Sequence, residues 1–267
     1  MTVERRNAVH RSGSGKATLF FSHGLGCDQT MWRFLEPSYR ERFYTVTFDL
    51  AGAGKSDLSS YDRHKYASLQ GYADDALEII KEFRNGPSIF VGHSISAMIG
   101  MLADLKEPGH IAAHVMICPS PCYINDGDYV GGFEQKDIDS LLNLMDSNYL
   151  GWSSTMAPTI MGAPDKPELS VELVNSLWRT SPEIAKQFAR VTFTSDHRSE
   201  LPLLAVPSLI LQATEDVLAP ETVGEFMSLA IPGSLLRFIT NLGHCPHLSE
   251  PRECIESINE FLAREGY

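Results

Sequence analysis

The 267-residue sequence lacks any dense cluster of lysine and arginine. Its 22 basic side chains stand against 34 acidic ones, which gives a formal net charge of −12. A surface that binds nucleic acid or an anionic membrane needs concentrated positive charge. The composition therefore predicts that neither nucleic acid nor a membrane is a partner.

Long hydrophobic runs are also absent. The first residues contain no apolar stretch of signal-peptide length, and no later segment approaches the roughly 20 apolar residues that span a bilayer. Cysteine is scarce and odd in number, with five thiols in a chain long enough to build a core without disulfides. These absences predict reduced cysteines and a cytoplasmic location.

Short apolar runs alternate with longer segments of helical period, a pattern typical of α/β proteins with a mostly parallel central sheet flanked by helices. The sequence predicts helices over 69–83 and 97–105 and a closing amphipathic helix from Pro251. It predicts strands over 17–22, 44–48, 88–92, 114–117, 208–213 and 235–239. The fold class is therefore α/β.

The interval from Tyr123 to Asp196 shows helical patterns and no strand. One predicted helical face carries Ile138, Leu141, Leu142, Met145 and Tyr149. We interpret residues 123–195 as a helical lid inserted within a single domain, whose core comprises residues 1–122 and 196–267. The lid is rich in apolar and aromatic side chains, which favours a small hydrophobic substrate in a closed pocket.

The strand over 88–92 runs into Gly92-His93-Ser94-Ile95-Ser96, and a helix-forming segment follows at once. This order is typical of a nucleophile elbow, in which G-x-S-x-G holds a strained serine between small neighbours. Ser96 replaces the second glycine, which weakens the match but keeps a small side chain there. A lone motif of this kind also fits a serine that caps a helix, so other elements must decide.

The ends of two later strands supply an acid and a base. Glu215 and Asp216 follow one of them, and His244 follows the other. The order serine, acid, histidine, with all three at the carboxyl ends of strands, is that of the α/β-hydrolase arrangement. We predict a catalytic triad of Ser94, Asp216 and His244, with Glu215 as the alternative acid and His247 as the alternative base.

An upstream strand runs into His23-Gly24-Leu25-Gly26, a turn of the type that supplies a backbone N–H to an oxyanion hole. We predict that the N–H groups of Leu25 and Ile95 are the two donors.

Two further patterns imitate cofactor sites. Gly52-Ala53-Gly54-Lys55-Ser56 lacks the first glycine of a phosphate-binding loop, because Asp49 occupies that position. The thiols of Cys118 and Cys122 are separated by three residues, and no second pair has zinc-site spacing. The sequence implies no metal and no organic cofactor.

Four segments are together more specific than any single motif: His23-Gly24-Leu25-Gly26-Cys27-Asp28-Gln29, the segment from Val91 to Gly100, the segment from Ser120 to Asp126 and the segment from Asp128 to Gln135. In these segments the sequence resembles the small α/β-hydrolases that include the bacterial stress-response regulator RsbQ and the plant receptors for karrikins and strigolactones. The resemblance covers nearly the whole chain. Ser96 in its Ser-Ala-Met-Ile-Gly run is similar to the plant receptors, whereas Ser195-Asp196-His197-Arg198 and Gly243-His244-Cys245-Pro246-His247 favour the bacterial RsbQ-like branch.

The resemblance implies a four-helix lid, slow hydrolysis of small apolar esters or butenolides, and a regulatory role through a partner protein. Leu25 departs from the phenylalanine that relatives usually carry, so the ligand's identity does not transfer with the resemblance. By position, the resemblance implies a substrate pocket lined by Leu25, Ile95, Tyr123, Phe133, Leu142, Trp152, Phe193 and Leu218.

Our leading hypothesis is a serine hydrolase that cleaves a small hydrophobic ester or lactone through an acyl-enzyme on Ser94. The alternative is a ligand-responsive signalling protein of the RsbQ type, with slow hydrolysis and a protein partner, since one fold and one triad can serve both functions. A third reading is cofactor-free perhydrolysis on the same triad. A dehalogenase or epoxide hydrolase is disfavoured, because those relatives carry a carboxylate at the elbow.

Overall fold

A seven-stranded sheet with the order β1-β3-β2-β4-β5-β6-β7 forms the centre of the molecule. The structure, a computed structural model, describes residues 1–267. β1 is antiparallel to β3, and every other neighbouring pair is parallel. The strands are β1 (His10–Gly13), β2 (Thr18–Ser22), β3 (Tyr44–Phe48), β4 (Ser88–His93), β5 (Ala113–Ile117), β6 (Ser208–Glu215) and β7 (Leu235–Leu242).

Ten α-helices and five short 3₁₀ turns accompany the sheet. α2 and α3 pack against each other, and α3 also contacts β4 and β5. The helices are α1 (Val3–Arg6), α2 (Leu69–Phe83), α3 (Ile95–Lys106), α4 (Gln135–Ser147), α5 (Tyr149–Met161), α6 (Pro167–Arg179), α7 (Pro182–Thr194), α8 (Glu221–Ala230), α9 (Pro246–Ser249) and α10 (Pro251–Arg264). The predicted α/β class is confirmed.

The central strands owe their position to their composition. Every residue of β2, β4 and β5 is buried, as expected of parallel strands covered on both faces. β1 is the strand that the sequence analysis missed. Its four residues, His-Arg-Ser-Gly, are mostly exposed at the edge of the sheet and carry no apolar signal.

Four helices, α4 to α7, occupy residues 135–194 between β5 and β6, and we call them the helical insertion. α4 packs on α5 and α7, and α5 packs on α6. The prediction that Tyr149 shares a helical face with Ile138 is wrong. α4 ends at Ser147, and the Asn148 side chain accepts a hydrogen bond from Gly151 N at 3.0 Å, which starts a new helix.

All five cysteines are free and buried. None of the helices combines the length and the hydropathy needed to cross a membrane.

Candidate active site

Ser94 lies between the end of β4 and the start of α3, with φ 57° and ψ −129°. This backbone conformation is strained for a residue with a side chain. Gly92 makes the sharp turn possible, because a Cβ atom there would lie 2.7 Å from the backbone nitrogen of Ala97. The local geometry is that of the predicted elbow, in which the strand and the helix hold the serine at the turn.

The side chains of Ser94, His244 and Asp216 form one buried hydrogen-bonded line. The Oγ of Ser94 lies 2.8 Å from Nε2 of His244, and Nδ1 of His244 lies 2.7 Å from Oδ2 of Asp216. Asp216 follows β6, and His244 follows β7, so the parallel sheet brings together residues that are far apart in the sequence. In this arrangement His244 can accept the serine proton while Asp216 fixes the orientation of its ring.

The second oxygen of Asp216 is held by the backbone. Its Oδ1 accepts hydrogen bonds from Leu218 N at 2.8 Å and Ala219 N at 3.2 Å. Burial favours the neutral carboxyl, but the charge and hydrogen bond of His244, together with these two N–H groups, outweigh it and lower the pKa of Asp216. Asp216 is therefore a carboxylate at neutral pH.

The two alternatives left open by the sequence occupy other positions. Glu215 ends β6 with an exposed side chain, and its backbone carbonyl accepts a hydrogen bond from Gly243 N at 2.8 Å. His247 is buried against the ring of His93, at 4.4 Å between ring centroids, and neither of its ring nitrogens has a partner. The histidine that is hydrogen-bonded to Ser94 is therefore His244, not His247. The acid that is hydrogen-bonded to His244 is Asp216, not Glu215.

Backbone contacts hold His244 on both sides. Its carbonyl accepts a hydrogen bond from Nε2 of His93 at 2.8 Å, and its N–H donates to the carbonyl of Ile160 in α5 at 2.7 Å. Burial, and then the nearby charge of His244, lower the pKa of His93 to about 3, so its imidazole is neutral at physiological pH. His244 is therefore tied both to the elbow and to the helical insertion.

The two predicted oxyanion donors lie on the segments that meet at Ser94. Ile95 is the first residue of α3, so its N–H has no acceptor within the helix. The N–H of Leu25 makes no hydrogen bond in its turn. That turn contacts the elbow closely, since a Cβ atom on Gly24 would lie 3.1 Å from Cβ of Ser94.

A cavity beside Ser94 contains about 600 Å³ of empty space, part of which is open solvent. Twelve of its sixteen lining residues are hydrophobic, and none is lysine, arginine, aspartate or glutamate. The site is therefore suited to an uncharged, largely apolar ligand. Of the predicted pocket residues, the cavity is lined by Leu25, Tyr123, Trp152, Phe193 and Leu218.

Tyr123 places a phenol beside the serine. Its hydroxyl lies 3.3 Å from Oγ of Ser94, and its ring packs edge-on against Phe193 at 5.1 Å between centroids. Burial raises the pKa of Tyr123 despite the contact with Ser94, so the side chain remains a neutral phenol.

Comparison with known proteins agrees with this geometry. The sequence model described as "Alpha/beta hydrolase family" matches residues 19–257. The chain belongs to the α/β-hydrolase family.

Relatives of this hydrolase include plant receptors and esterases. The Karrikin insensitive 2 receptor CA of Petunia hybrida is 38% identical over 250 residues, which cover 93% of each chain. The Strigolactone esterase D14 of Arabidopsis thaliana is 34% identical over 253 residues, covering 94% of each chain. The predicted resemblance to this family is confirmed, and the preference for the bacterial RsbQ-like branch stays a prediction.

Solved structures share the fold. The hydrolase olei00960 from Oleispira antarctica superposes with a TM-score of 0.93 at 41% identity, covering 98% of this chain and 96% of that one. The enol-lactonase from Burkholderia xenovorans LB400 gives a TM-score of 0.83 at 16% identity, with coverage of 96% and 95%. The predicted α/β-hydrolase fold is confirmed.

Three of the residues carried over from the resemblance do not line the cavity of this hydrolase. Leu142 is buried in α4, and Leu141, one residue earlier on the same helix, faces the cavity instead. Phe133 precedes α4 and is half-buried, with its N–H bonded to the carbonyl of Tyr123 at 3.1 Å. Ile95 is fully buried at the start of α3 and does not contribute to the lining.

Several lining residues were missed from the sequence. Most lie on α5, α6 and α7, where a helical pattern identifies a buried face without saying which part of it meets the cavity. They are Cys27, Leu141, Met156, Ile160, Leu173, Leu177, Thr192 and Cys245, together with His93 of the elbow.

Proposed function

We propose that this hydrolase cleaves a small, uncharged carboxylic ester or lactone by acyl transfer through Ser94. The observation that carries the proposal is the 2.8 Å contact between Ser94 Oγ and His244 Nε2 beside a mostly hydrophobic cavity. A neutral serine hydroxyl is a poor nucleophile, so an adjacent base is needed to activate it.

The proposed reaction has two halves. His244 takes the proton of Ser94 as Oγ attacks the carbonyl carbon, and the N–H groups of Leu25 and Ile95 stabilise the resulting oxyanion. His244 then gives the proton to the departing alkoxide, which leaves an acyl group on Ser94. In the second half, His244 takes a proton from water, the hydroxide attacks the acyl carbon, and the proton returns to Ser94. Asp216 stabilises the imidazolium in both halves.

The first test replaces the nucleophile. We expect Ser94→Ala to lower kcat for p-nitrophenyl acetate and butyrate by a factor on the order of 10³ or more, because no acyl-enzyme can form. Thermal unfolding of the variant provides the control for folding. Wild-type turnover by a folded Ser94→Ala protein would show that the mechanism is wrong.

A second test separates the two neighbouring carboxylates. Asp216→Asn keeps the shape of the side chain but removes the charge that supports His244, so we expect kcat to fall by roughly 10³- to 10⁴-fold. Glu215→Gln is the matched control, since that side chain is exposed and does not contact His244. Similar losses in the two variants would contradict the proposed role of Asp216.

Ligand-responsive signalling is the second candidate function. It is favoured by similarity to the Karrikin insensitive 2 receptor CA, which is 38% identical over nearly the whole chain. In this case hydrolysis is slow and the helical insertion contacts a regulatory protein.

We further propose a cytoplasmic location, which is supported by five cysteines that are free rather than paired.

Progress curves separate these two functions. The purified protein is incubated with p-nitrophenyl esters of increasing chain length and with a fluorogenic butenolide, and its intact mass is followed. Sustained turnover without a partner supports a metabolic hydrolase. A single burst with a retained mass adduct supports the signalling function.

A further inference from the structure

Thr192 carries an unused hydroxyl in the wall of the cavity. The residue lies in α7, is 1% exposed and lines the same cavity as Ser94. Its Oγ1 atom is buried and has no hydrogen-bond partner. A buried hydroxyl that loses water without gaining a partner is costly, and such groups are uncommon in folded proteins.

Several other hydroxyl side chains of the helical insertion do find partners. Thr194 donates to the carbonyl of Arg190 at 2.8 Å, Thr155 to Gly151 at 3.0 Å, and Ser140 to Lys136 at 2.7 Å. Each uses the carbonyl four residues earlier, which is the usual solution within a helix. Thr192 departs from this pattern, and its hydroxyl remains without a partner in a residue that lines the cavity.

The surroundings of Thr192 define the chemistry of that molecule. The next residue, Phe193, packs against Tyr123, whose hydroxyl lies 3.3 Å from Ser94 Oγ. Thr192, Tyr123 and Ser94 supply all three hydroxyl groups among the lining residues, and no charged carboxylate, lysine or arginine lies among them. These surroundings favour a neutral hydrogen-bonding group as the partner of Thr192.

We propose that the substrate carries a second neutral oxygen, in addition to its scissile carboxyl group, and that this oxygen hydrogen-bonds to Oγ1 of Thr192. The substrate class is then an oxygenated ester or lactone, with an ether, hydroxyl or carbonyl group on an otherwise apolar frame. The inference rests on the proposed function and adds a specificity-determining residue to it.

The test compares esters of equal size that differ in one atom. p-Nitrophenyl hexanoate is the all-carbon reference, and p-nitrophenyl 4-methoxybutanoate and 3-ethoxypropanoate place an oxygen at two positions along the same chain. Thr192→Val removes the hydroxyl at nearly constant volume. We expect it to lower the ratio of kcat/KM for the preferred oxygenated ester over hexanoate by about tenfold, since a site built for a hydrogen bond discriminates against its absence.

Two further variants serve as rescue and control. Thr192→Ser keeps the hydroxyl, and we expect it to restore the ratio to within about threefold of wild type, a smaller change than the loss of a hydrogen bond. Thr194→Val removes the neighbouring hydroxyl, which is bonded to Arg190 and does not line the cavity, and should leave the ratio unchanged. Thermal unfolding checks each variant, and Thr192→Ala replaces Thr192→Val if the latter does not fold.

An unchanged ratio in Thr192→Val, for both oxygenated esters, would overturn the inference. If wild-type protein hydrolyses none of the esters, the proposed function fails, and the inference is then tested separately by binding. In that case calorimetry with the Ser94→Ala protein compares methyl 4-methoxybutanoate and methyl 3-ethoxypropanoate with methyl hexanoate. Tighter binding of an oxygenated ester that is lost in the Ser94→Ala, Thr192→Val double variant supports the inference, and equal binding refutes it.

Discussion

Ser96 stands where the elbow motif has its second glycine, and the structure gives its side chain a definite contact. Its hydroxyl donates to the carbonyl of His23 at 2.5 Å and accepts a hydrogen bond from Ser22 Oγ at 2.9 Å. The residue is fully buried. It therefore ties the start of α3 to the end of β2, where the turn containing Leu25 begins.

Restoring the consensus glycine should consequently weaken the protein. Ser96→Ala leaves Ser22 and the His23 carbonyl without their partner, which we expect to cost about 1–3 kcal/mol of unfolding free energy. Ser96→Gly should lose about 1 kcal/mol more, because glycine is unfavourable in a helix. Urea unfolding measures both, and an alanine variant as stable as wild type would contradict this role.

Among the secondary-structure elements, α6 is joined to the core by two ion pairs. Arg33 makes a bidentate contact with Glu172, with both N–O distances at 2.7 Å, and Arg179 lies 2.8 Å from Asp28. Three of these four side chains are at least partly exposed, and only Asp28 is buried. Each pair therefore contributes little to global stability. Their geometry nevertheless holds α6 against the segment that follows the Leu25 turn.

We expect the double variant Glu172→Gln, Arg179→Gln to loosen α6 locally. Hydrogen exchange followed by mass spectrometry should show faster exchange in α6, by a few-fold, with β4 unchanged, because local opening costs less than global unfolding. Arg190→Gln is the control, since it breaks a pair with Asp146 inside the helical insertion and leaves both core contacts intact. Equal exchange in α6 of all three proteins would show that the ion pairs do not hold it.

The secondary-structure elements also show which parts of the fold and the site can be predicted from sequence patterns. β2, β4 and β5 were predicted because each is a short apolar run, and Ser94, Asp216 and His244 because each follows such a run at its carboxyl end. The exposed β1 and the start of α5 at Asn148 depend on an edge position and a capping bond that apolar periodicity does not register. The choice between Leu141 and Leu142 depends on how α4 packs, which only the assembled helices fix.

At the scale of the whole molecule, two buried histidines make the stability of the native protein depend on pH. Burial, followed by the charge of neighbouring histidines, lowers the pKa of His93 to about 3 and the pKa of His247 well below its ordinary value. In the unfolded chain both titrate near pH 6.5. As the pH falls below 6.5, the unfolded chain binds protons that the native protein does not bind, so native stability is present above that pH and decreases in acid.

A substitution isolates the contribution of His93. Between pH 6.5 and 5, each such histidine contributes a slope of up to about 1.4 kcal/mol per pH unit to the unfolding free energy. His93→Gln keeps a donor for the carbonyl of His244 but cannot titrate, so its stability should fall less steeply with acid. Urea unfolding at a series of pH values measures both slopes, and identical slopes would contradict the buried neutral state of His93.

The hydrogen bond from His244 N to the carbonyl of Ile160 links the position of His244 to that of α5. Displacing the end of α5 by more than the reach of that bond either breaks it or carries His244 away from Ser94. In the proposed reaction, proton transfer from Ser94 to His244 therefore depends on the position of a helix that takes no part in the chemistry. By reciprocity, a ligand that draws Ser94 and His244 together stabilises the docked helix by the same free energy with which the docked helix favours the ligand.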